Sequence, residues 1–506
     1  MADEFKARFS AAKSHRRSRI EDEGREVYTF CFNGRESEWD SVVSPNTEAE
    51  EIFTDFPSTL AEDFAGELFS TMTPENTPWV EYETGDGFEN KEEEAAAKKD
   101  LTLFESIIDK SIKASNYYDE GYSAFQDATV GNVAMWVDKP TLSGPVVCEA
   151  IPMPELFLRL GAHGIDDRFR RRKYACSDLK ALFPDAKWPK KLQDKMKGKG
   201  TSEVIWGFWQ DYSDASNPIW LQRIRVDGEE IGLDNRLEGE GSVPIIVGRF
   251  NPVAGSAWGR GPGRRMLPTL RLLDALASMS IEGMGRNLDP AYTYPHDGML
   301  DLSNGIESGL GYPSMPGSAE SIKAIGTVEN LDYGYFSEDR LQETLRDGFY
   351  REMEQRGKTP PSASQYLGQE QKQLRRIARP AAKTWREFGV GLLKRFEYLE
   401  LQPGGKLDGL KIPLLEEGRI VVRPISPLER SQAREEVLTA QSIMGMAVES
   451  LGDQAQLVID GPSTMSNIKD KLKDKLVTFR DEGQIREIMQ AMQPQQPQQG
   501  GPVEQG

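Results

Sequence analysis

Hydrophobic and polar positions along this chain alternate between helical and strand periods, and the helical pattern around which the rest is arranged follows a glycine-rich turn. From Arg249 to Pro290 the chain reads RFNPVAGSAWGRGPGRRMLPTLRLLDALASMSIEGMGRNLDP. An apolar strand end passes through Gly255, Gly259, Gly261 and Gly263 into a helix whose first turn tolerates Pro262 or Pro268. Leu270, Leu273, Ala277, Ile281, Met284 and Leu288 recur at three- and four-residue steps and make one helical face. Leu272, Leu276, Met279 and Gly283 make a second. With Ala275, Ser278, Ser280 and Gly285 allowing close approach, two apolar faces predict a helix packed on both sides.

The residues before this stretch predict a mixed unit. Asp3 to Asn33 reads as one helix with Phe5, Phe9, Ile20, Val27 and Phe30 on its apolar side. Its basic run, Lys13, His15, Arg16, Arg17 and Arg19, is followed closely by Glu21, Asp22, Glu23 and Glu26, and reads as a solvated face. Pro57 to Met72 carries Leu60, Phe64, Leu68 and Met72 one turn apart, with Ser58 as the expected N-cap. The segment Thr73 to Trp79 contains two prolines and must be extended. Glu92 to Lys113 is a long helix with Leu101, Leu103, Phe104, Ile107, Ile108 and Ile112 as its buried side, and Tyr117 to Gly131 is another. Strands are expected at Asn132 to Asp138, Pro145 to Leu160, Glu203 to Asp211, Ile219 to Val226 and Val243 to Phe250.

Beyond the central helix, Ala291 to Tyr335 loses helical periodicity and is broken by glycines and prolines into turns and short strands. Ser337 to Gln355 returns as a helix, with Leu341, Leu345, Phe349 and Met353 one turn apart and Glu338 and Asp339 at its N-terminus. The segment GKTPPSASQYLG, Gly357 to Gly368, stops it with adjacent prolines. Gln369 to Glu400 is a long helix that Pro380 should kink, buried along Trp385, Phe388, Leu392, Phe396 and Leu399. Leu410 to Val422 supplies two short strands. Ser426-Pro427-Leu428-Glu429 opens a helix to about Leu451, a further helix runs from about Ser466 to Met492, and the Gln- and Pro-rich tail is disordered by composition.

Composition narrows the function classes. At 506 residues the chain holds several domains, and no apolar run is long enough to span a membrane. The first residues lack the apolar core of a secretory signal, and Cys31, Cys148 and Cys176 are too scattered for a disulfide framework or zinc site. A formal charge of −19 argues against a protein that grips nucleic acid, though not against a wall past which DNA slides. One stretch departs from this balance. Arg168 to Lys199 carries twelve Lys and Arg against three Asp, with Phe169, Tyr174, Phe183 and Trp188 interleaved. It is either a nucleic-acid contact or a surface that meets acidic neighbours.

No catalytic set is legible. Gly198-Lys199-Gly200-Thr201 lacks the spacing of a phosphate loop, and Arg264 stands where Gly259-Arg260-Gly261-Pro262-Gly263 would need the third glycine of a dinucleotide fingerprint. His15, His163 and His296 lie in unrelated segments, and acidic pairs such as Asp166 and Asp167 are commonplace among 81 carboxylates. The expectation is a protein that is not an enzyme and has no catalytic residue, no metal site and no cofactor.

An apolar strand, the Arg249-Phe250 pair, then Trp258-Gly259-Arg260-Gly261-Pro262 before a Leu-rich helix and Asp289-Pro290 resembles the head-to-tail connector, or portal, proteins of short-tailed double-stranded DNA bacteriophages. The order of elements over nearly the whole chain agrees. The resemblance implies an α+β portal fold: an α/β wing (1–262), a stem helix (263–288), a small turn-rich α/β clip (289–336), a second stem helix (337–356), a tunnel loop (357–368), a kinked long helix with wing return strands (369–425), a helical crown (426–492) and a disordered tail (493–506). It implies a homo-oligomer, a dodecameric ring at one capsid vertex of the virion, assembled in the host cytoplasm. Double-stranded DNA would be packaged through the channel by the terminase motor, retained, and ejected through the tail, without sequence-specific binding. The implied partners are the major capsid protein and scaffold, the terminase large subunit, tail adaptor or nozzle proteins, and internal core or ejection proteins at the crown; no membrane is involved. By the same resemblance, Lys358, Thr359, Pro360, Pro361, Ser362, Gln365 and Tyr366 form the DNA tunnel loop. Leu270, Leu273, Ala277, Met279, Ile281, Met284, Leu341, Leu345 and Phe349 pack the stem between subunits, and Tyr294, Tyr312, Met315, Glu320 and Asp332 meet motor or adaptor at the clip. The alternative is a non-channel virion protein, an adaptor or scaffold.

Overall fold

Amphipathic helices and short antiparallel strands build a mixed α+β unit from Met1–Ser426, and Pro427–Gly506 forms a second unit. The computed structural model describes residues 2–33, 35–40, 51–75, 79–80, 82–84, 91–141, 144–213, 219–288, 291–293, 323–325, 331–351, 376–408, 420–421, 427–452 and 460–472.

Two helices, α1 (Ala2–Arg19) and α2 (Glu21–Cys31), stand where one was expected. The chain turns at Ile20, whose side chain is buried. In α3 (Phe56–Met72) Leu60, Phe64, Leu68 and Met72 all reach the core, as their spacing requires. Its N-cap position falls to Asp55 rather than Ser58, which is buried in the first turn. After β1 (Glu83–Thr84), α4 (Lys91–Ala114) buries Leu101, Phe104, Ile108 and Ile112, whereas Leu103 points to solvent. The next helix, α5 (Tyr117–Gln126), ends in a 3-10 turn, Asp127–Thr129, rather than continuing to Gly131.

Two sheets follow. β2 (Asn132–Asp138) lies between β3 (Val147–Ala150) and β9 (Ile245–Arg249), all antiparallel. The other sheet runs in chain order through β4 (Leu156–Leu160), β5 (Ile165–Ala175), β6 (Thr201–Asp211), β7 (Ile219–Val226) and β8 (Glu229–Leu237). β8 has no counterpart in the expected elements. Its sequence EEIGLDNRL is too polar to alternate cleanly, as suits an edge strand. Between β5 and β6 the chain makes an excursion carrying two short helices, α6 (Leu179–Leu182) and α7 (Lys190–Lys195).

The central helix is α8 (Pro262–Leu288), with Pro262 first and Pro268 within its second turn. Beyond it, β10 (Ala291–Thr293) pairs antiparallel with β11 (Lys323–Ile325). The returning helix, α9 (Leu331–Gly348), starts six residues before the expected Ser337, so Glu338 and Asp339 lie well inside it. It ends at Gly348 because Tyr350 takes the left-handed conformation (φ 64°), with the Tyr350 N–H donating to Asp347 O at 3.2 Å and the Arg351 N–H to Arg346 O at 2.9 Å. Residues 376–401 form α10. Its irregularity is a π-helical segment, Trp385–Gly389, displaced from the kink expected at Pro380, and Val390–Leu401 is regular. β12 (Ile420–Val421) closes on β1.

In the second unit, α11 (Pro427–Leu451) begins with Pro427 as its sequence dictates. The last helix, α12 (Gly461–Leu472), begins earlier than the expected Ser466. Asp460 caps it by accepting from the Ser463 backbone N–H and hydroxyl, which holds the carboxyl below its ordinary range.

Candidate functional site

The glycine-rich turn is a socket that seats α8 on the sheets. A Cβ on Gly261 would lie 2.1 Å from the Thr129 carbonyl oxygen and one on Gly259 2.1 Å from that of Gly131, so backbone packs on backbone. The Gly261 N–H donates to Val130 O at 3.0 Å, and the buried Asn132 side chain accepts from Gly259 N at 2.9 Å. Arg249, just before the socket, donates to Ser256 O at 2.8 Å and to Glu387 on the π segment of α10. Thr384 donates to Arg249 O at 2.9 Å, so α10 grips the strand that delivers the socket. From α8, Arg264 donates to Gly259 O at 2.6 Å and pairs with Glu23, while Arg271 pairs with Glu26, tying the helix to α2.

Beneath the socket, Asp127 is buried, accepting from the Tyr28 hydroxyl at 2.6 Å and the Met153 N–H at 2.7 Å. Burial pushes its carboxyl up to about 7, against the pull of these two donors.

Along α8 burial falls away with distance from the socket. Leu267, Leu270, Leu273 and Ala277 are buried within the subunit, and Met284 is half-buried. Leu272, Met279, Ile281 and Leu288 are 56%, 68%, 51% and 87% exposed. At about 100° per residue, Ile281 and Leu288 continue the buried stripe beyond the subunit's own cover. Leu272 and Met279, a heptad apart, occupy the opposite side. α9 returns alongside: Leu345 and Phe349 are buried, Leu341 is half-buried, and Arg265 of α8 reaches the Gly348 carbonyl and the Tyr350 hydroxyl. Asp332 lies in the first turn of α9. The residues expected to form a tunnel loop, 358–362, 365 and 366, and the expected clip contacts Tyr294, Tyr312, Met315 and Glu320 lie outside the described residues.

The basic stretch divides by residue type. Arg170 is buried between Glu149 and Glu155, Arg172 joins the same carboxylates, and Arg171 lies 3.7 Å from Glu203. Arg168 donates to Ile245 O at 2.7 Å, joining the two sheets, and stacks over Trp220. The lysines of the stretch are exposed. In the N-terminal run, Arg16 corrects the reading of a solvated face. It is buried, donates to Pro154 O at 2.7 Å, and lies over the Trp39 and Phe157 rings; burial lowers it to about 10.

Glu387, Asn132 and Asp127 went unnoticed in the sequence because their partners Arg249, Gly259 and Tyr28 lie far along the chain and leave no periodic signal. Among the described residues no three His, Cys, Asp or Glu side chains form a group able to hold a metal ion, and no helix is long and apolar enough to cross a membrane.

A family model described as bacteriophage head to tail connecting protein matches residues 2–472. Among solved structures, a chain from the virion of a native gene transfer agent particle aligns over 72% of this chain and 87% of its own, at 11% identity and a TM-score of 0.36. No curated protein matches.

Proposed function

This chain belongs to the family of bacteriophage head to tail connecting proteins, and from that premise we propose that copies of it assemble into a portal ring through which double-stranded DNA passes. The observation that carries the reading is the exposure gradient of α8. One side of the helix is covered by its own subunit near the socket, while Ile281 and Leu288 farther along, and Leu272 and Met279 on the opposite side, are left apolar and bare. Isolated exposed apolar side chains are ordinary on monomers, but two uncovered faces on one helix fit a helix flanked by neighbours.

In this reading α8 and α9 are stem helices, residues 357–368 reach into the channel, and residues 289–336 meet the packaging motor and later the tail adaptor. The proposed role is docking platform for the terminase, then channel plug, then conduit for ejection, with scaffold and capsid protein around the wing. A dodecamer would carry a formal charge of roughly −230, which repels a duplex from an acidic wall and keeps it mobile.

Native mass measured together with single-particle imaging tests this. Twelve copies of 56.7 kDa give about 680 kDa, and a ring of that mass with an axial hole is the expected result. A protein that stays monomeric or dimeric at all concentrations favours an adaptor or scaffold.

A further inference from the structure

The cations between Arg168 and Lys199 are sorted by chemistry. All four arginines are engaged with carboxylates, a carbonyl or aromatic rings, Arg170 buried and the other three half-buried. All eight lysines are exposed. Lys191, Lys195 and Lys197 pair with Glu229, Asp227 and Asp194. Lys180, Lys187, Lys190 and Lys199 have no ion-pair partner among the described residues, whereas Lys173 is near enough to Asp40 to stabilise its carboxylate. The excursion that carries most of these lysines, between β5 and β6, is held in place: the Lys187 N–H donates to Ile231 O at 2.8 Å, and the pairs to Asp227 and Glu229 pin α7 to the β7–β8 hairpin.

We propose that this lysine-rich excursion docks onto an acidic surface of a neighbouring copy of the same chain, as a salt-dependent contact of the assembly; the choice of occupant rests on the ring reading above. With the stretch at +9, the rest of the chain carries roughly −28, so a neighbouring copy is the acidic partner that a ring supplies at high local concentration. Without positive faces between them such copies repel one another. A duplex fits less well. The planar guanidinium groups that grip phosphate in a bidentate way are already engaged, Phe183 is buried, and Asp178, Asp185 and Asp194 interrupt the lysines.

The test is the variant Lys180→Glu/Lys187→Glu/Lys190→Glu/Lys199→Glu, followed by native mass from about 50 to about 500 mM salt, a range that screens exposed charge. The wild type is expected to assemble less readily as salt rises. The variant should need at least a tenfold higher concentration to assemble at low salt, with unchanged circular dichroism and melting. Mixed with wild type it should still enter assemblies, because it keeps the acidic side of the contact. Gln at the same four positions should lose assembly in part and flatten the salt dependence. A Glu variant that assembles like wild type, or a Gln variant that keeps the wild-type salt slope, overturns the docking and leaves the ring standing. A wild type that never assembles overturns the ring and the occupant together. A wild type that binds a short DNA duplex at about 150 mM salt through these lysines, lost in the Glu variant, overturns the proposal in favour of nucleic acid.

Discussion

The Arg249 guanidinium and the Glu387 carboxylate meet across 138 residues of sequence, with Arg249 Nε 3.0 Å from Glu387 Oε2 and the Arg249 backbone N–H 3.1 Å from the same oxygen. One carboxylate thus holds both the side chain and the backbone of the last residue of β9. The pair joins the strand that leads into the α8 socket to the helix downstream of residues 352–375. Hydrogen bonds, rather than a loop, therefore connect α10 to the root of α8.

Removing one partner leaves the other poorly solvated, so Arg249→Met should cost about 3 kcal/mol of stability. Lys383, 3.3 Å from Glu387, compensates only in part. The double variant Arg249→Met/Glu387→Leu should be closer to wild type than either single change, read by denaturant unfolding. Additive losses would mean that the two residues do not act as a pair.

The socket tolerates no side chain at Gly261. Gly261→Ala drives a methyl group into the Thr129 and Ala128 carbonyls and should lower stability by about 3 kcal/mol or prevent folding. Gly285→Ala, inside α8 with nothing within 4 Å of the added Cβ, should stabilise by up to about 1 kcal/mol. Equal melting temperatures for the two variants would refute the close backbone packing.

Subunit folding and assembly should separate along α8. Leu270→Ala empties a fully buried site and should cost about 2–5 kcal/mol in the isolated subunit. Met279→Arg changes a side chain that is 68% exposed, so the subunit should melt within about 0.5 kcal/mol of wild type while assembly is lost. Wild-type-sized rings from Met279→Arg would show that this face meets no neighbour.

Asp127 gives a pH dependence of definite sign. Its native carboxyl is raised to about 7, whereas in the unfolded chain it titrates near 4. Between those values the unfolded state releases the proton and the native state keeps it, so this group's contribution to stability is greatest below about pH 4. It declines through about pH 7 by at most about 4 kcal/mol and is flat above. Asp127→Asn, able to accept from the Met153 N–H and donate to the Tyr28 oxygen, should remove that slope. Denaturant unfolding of the two proteins from pH 5 to 8 measures it, and parallel curves would exclude a raised Asp127.

Local chemistry was legible in the chain alone. The four-residue spacing of Leu60, Phe64, Leu68 and Met72 specified α3, Pro427 opened α11, and the strands Asn132–Asp138 and Ile219–Val226 appear with the expected ends. Even the unexpected β8 had a signal in Asp227-Gly228, a two-residue hairpin turn with both residues at positive φ. Periodicity and turn preference act within a few residues, which is why sequence carries them. The partners of charged groups were decided only by the tertiary structure. Arg16, within a basic run, is buried over two rings, and Arg170 is buried between two glutamates, while nearby lysines remain in water. Likewise the apolar stripe of α8 reads the same from Leu270 to Leu288, and only the fold shows where its own subunit stops covering it. Both depend on contacts between segments far apart in the chain, and the desolvation that rewards or penalises a side chain is set by what those segments bring around it.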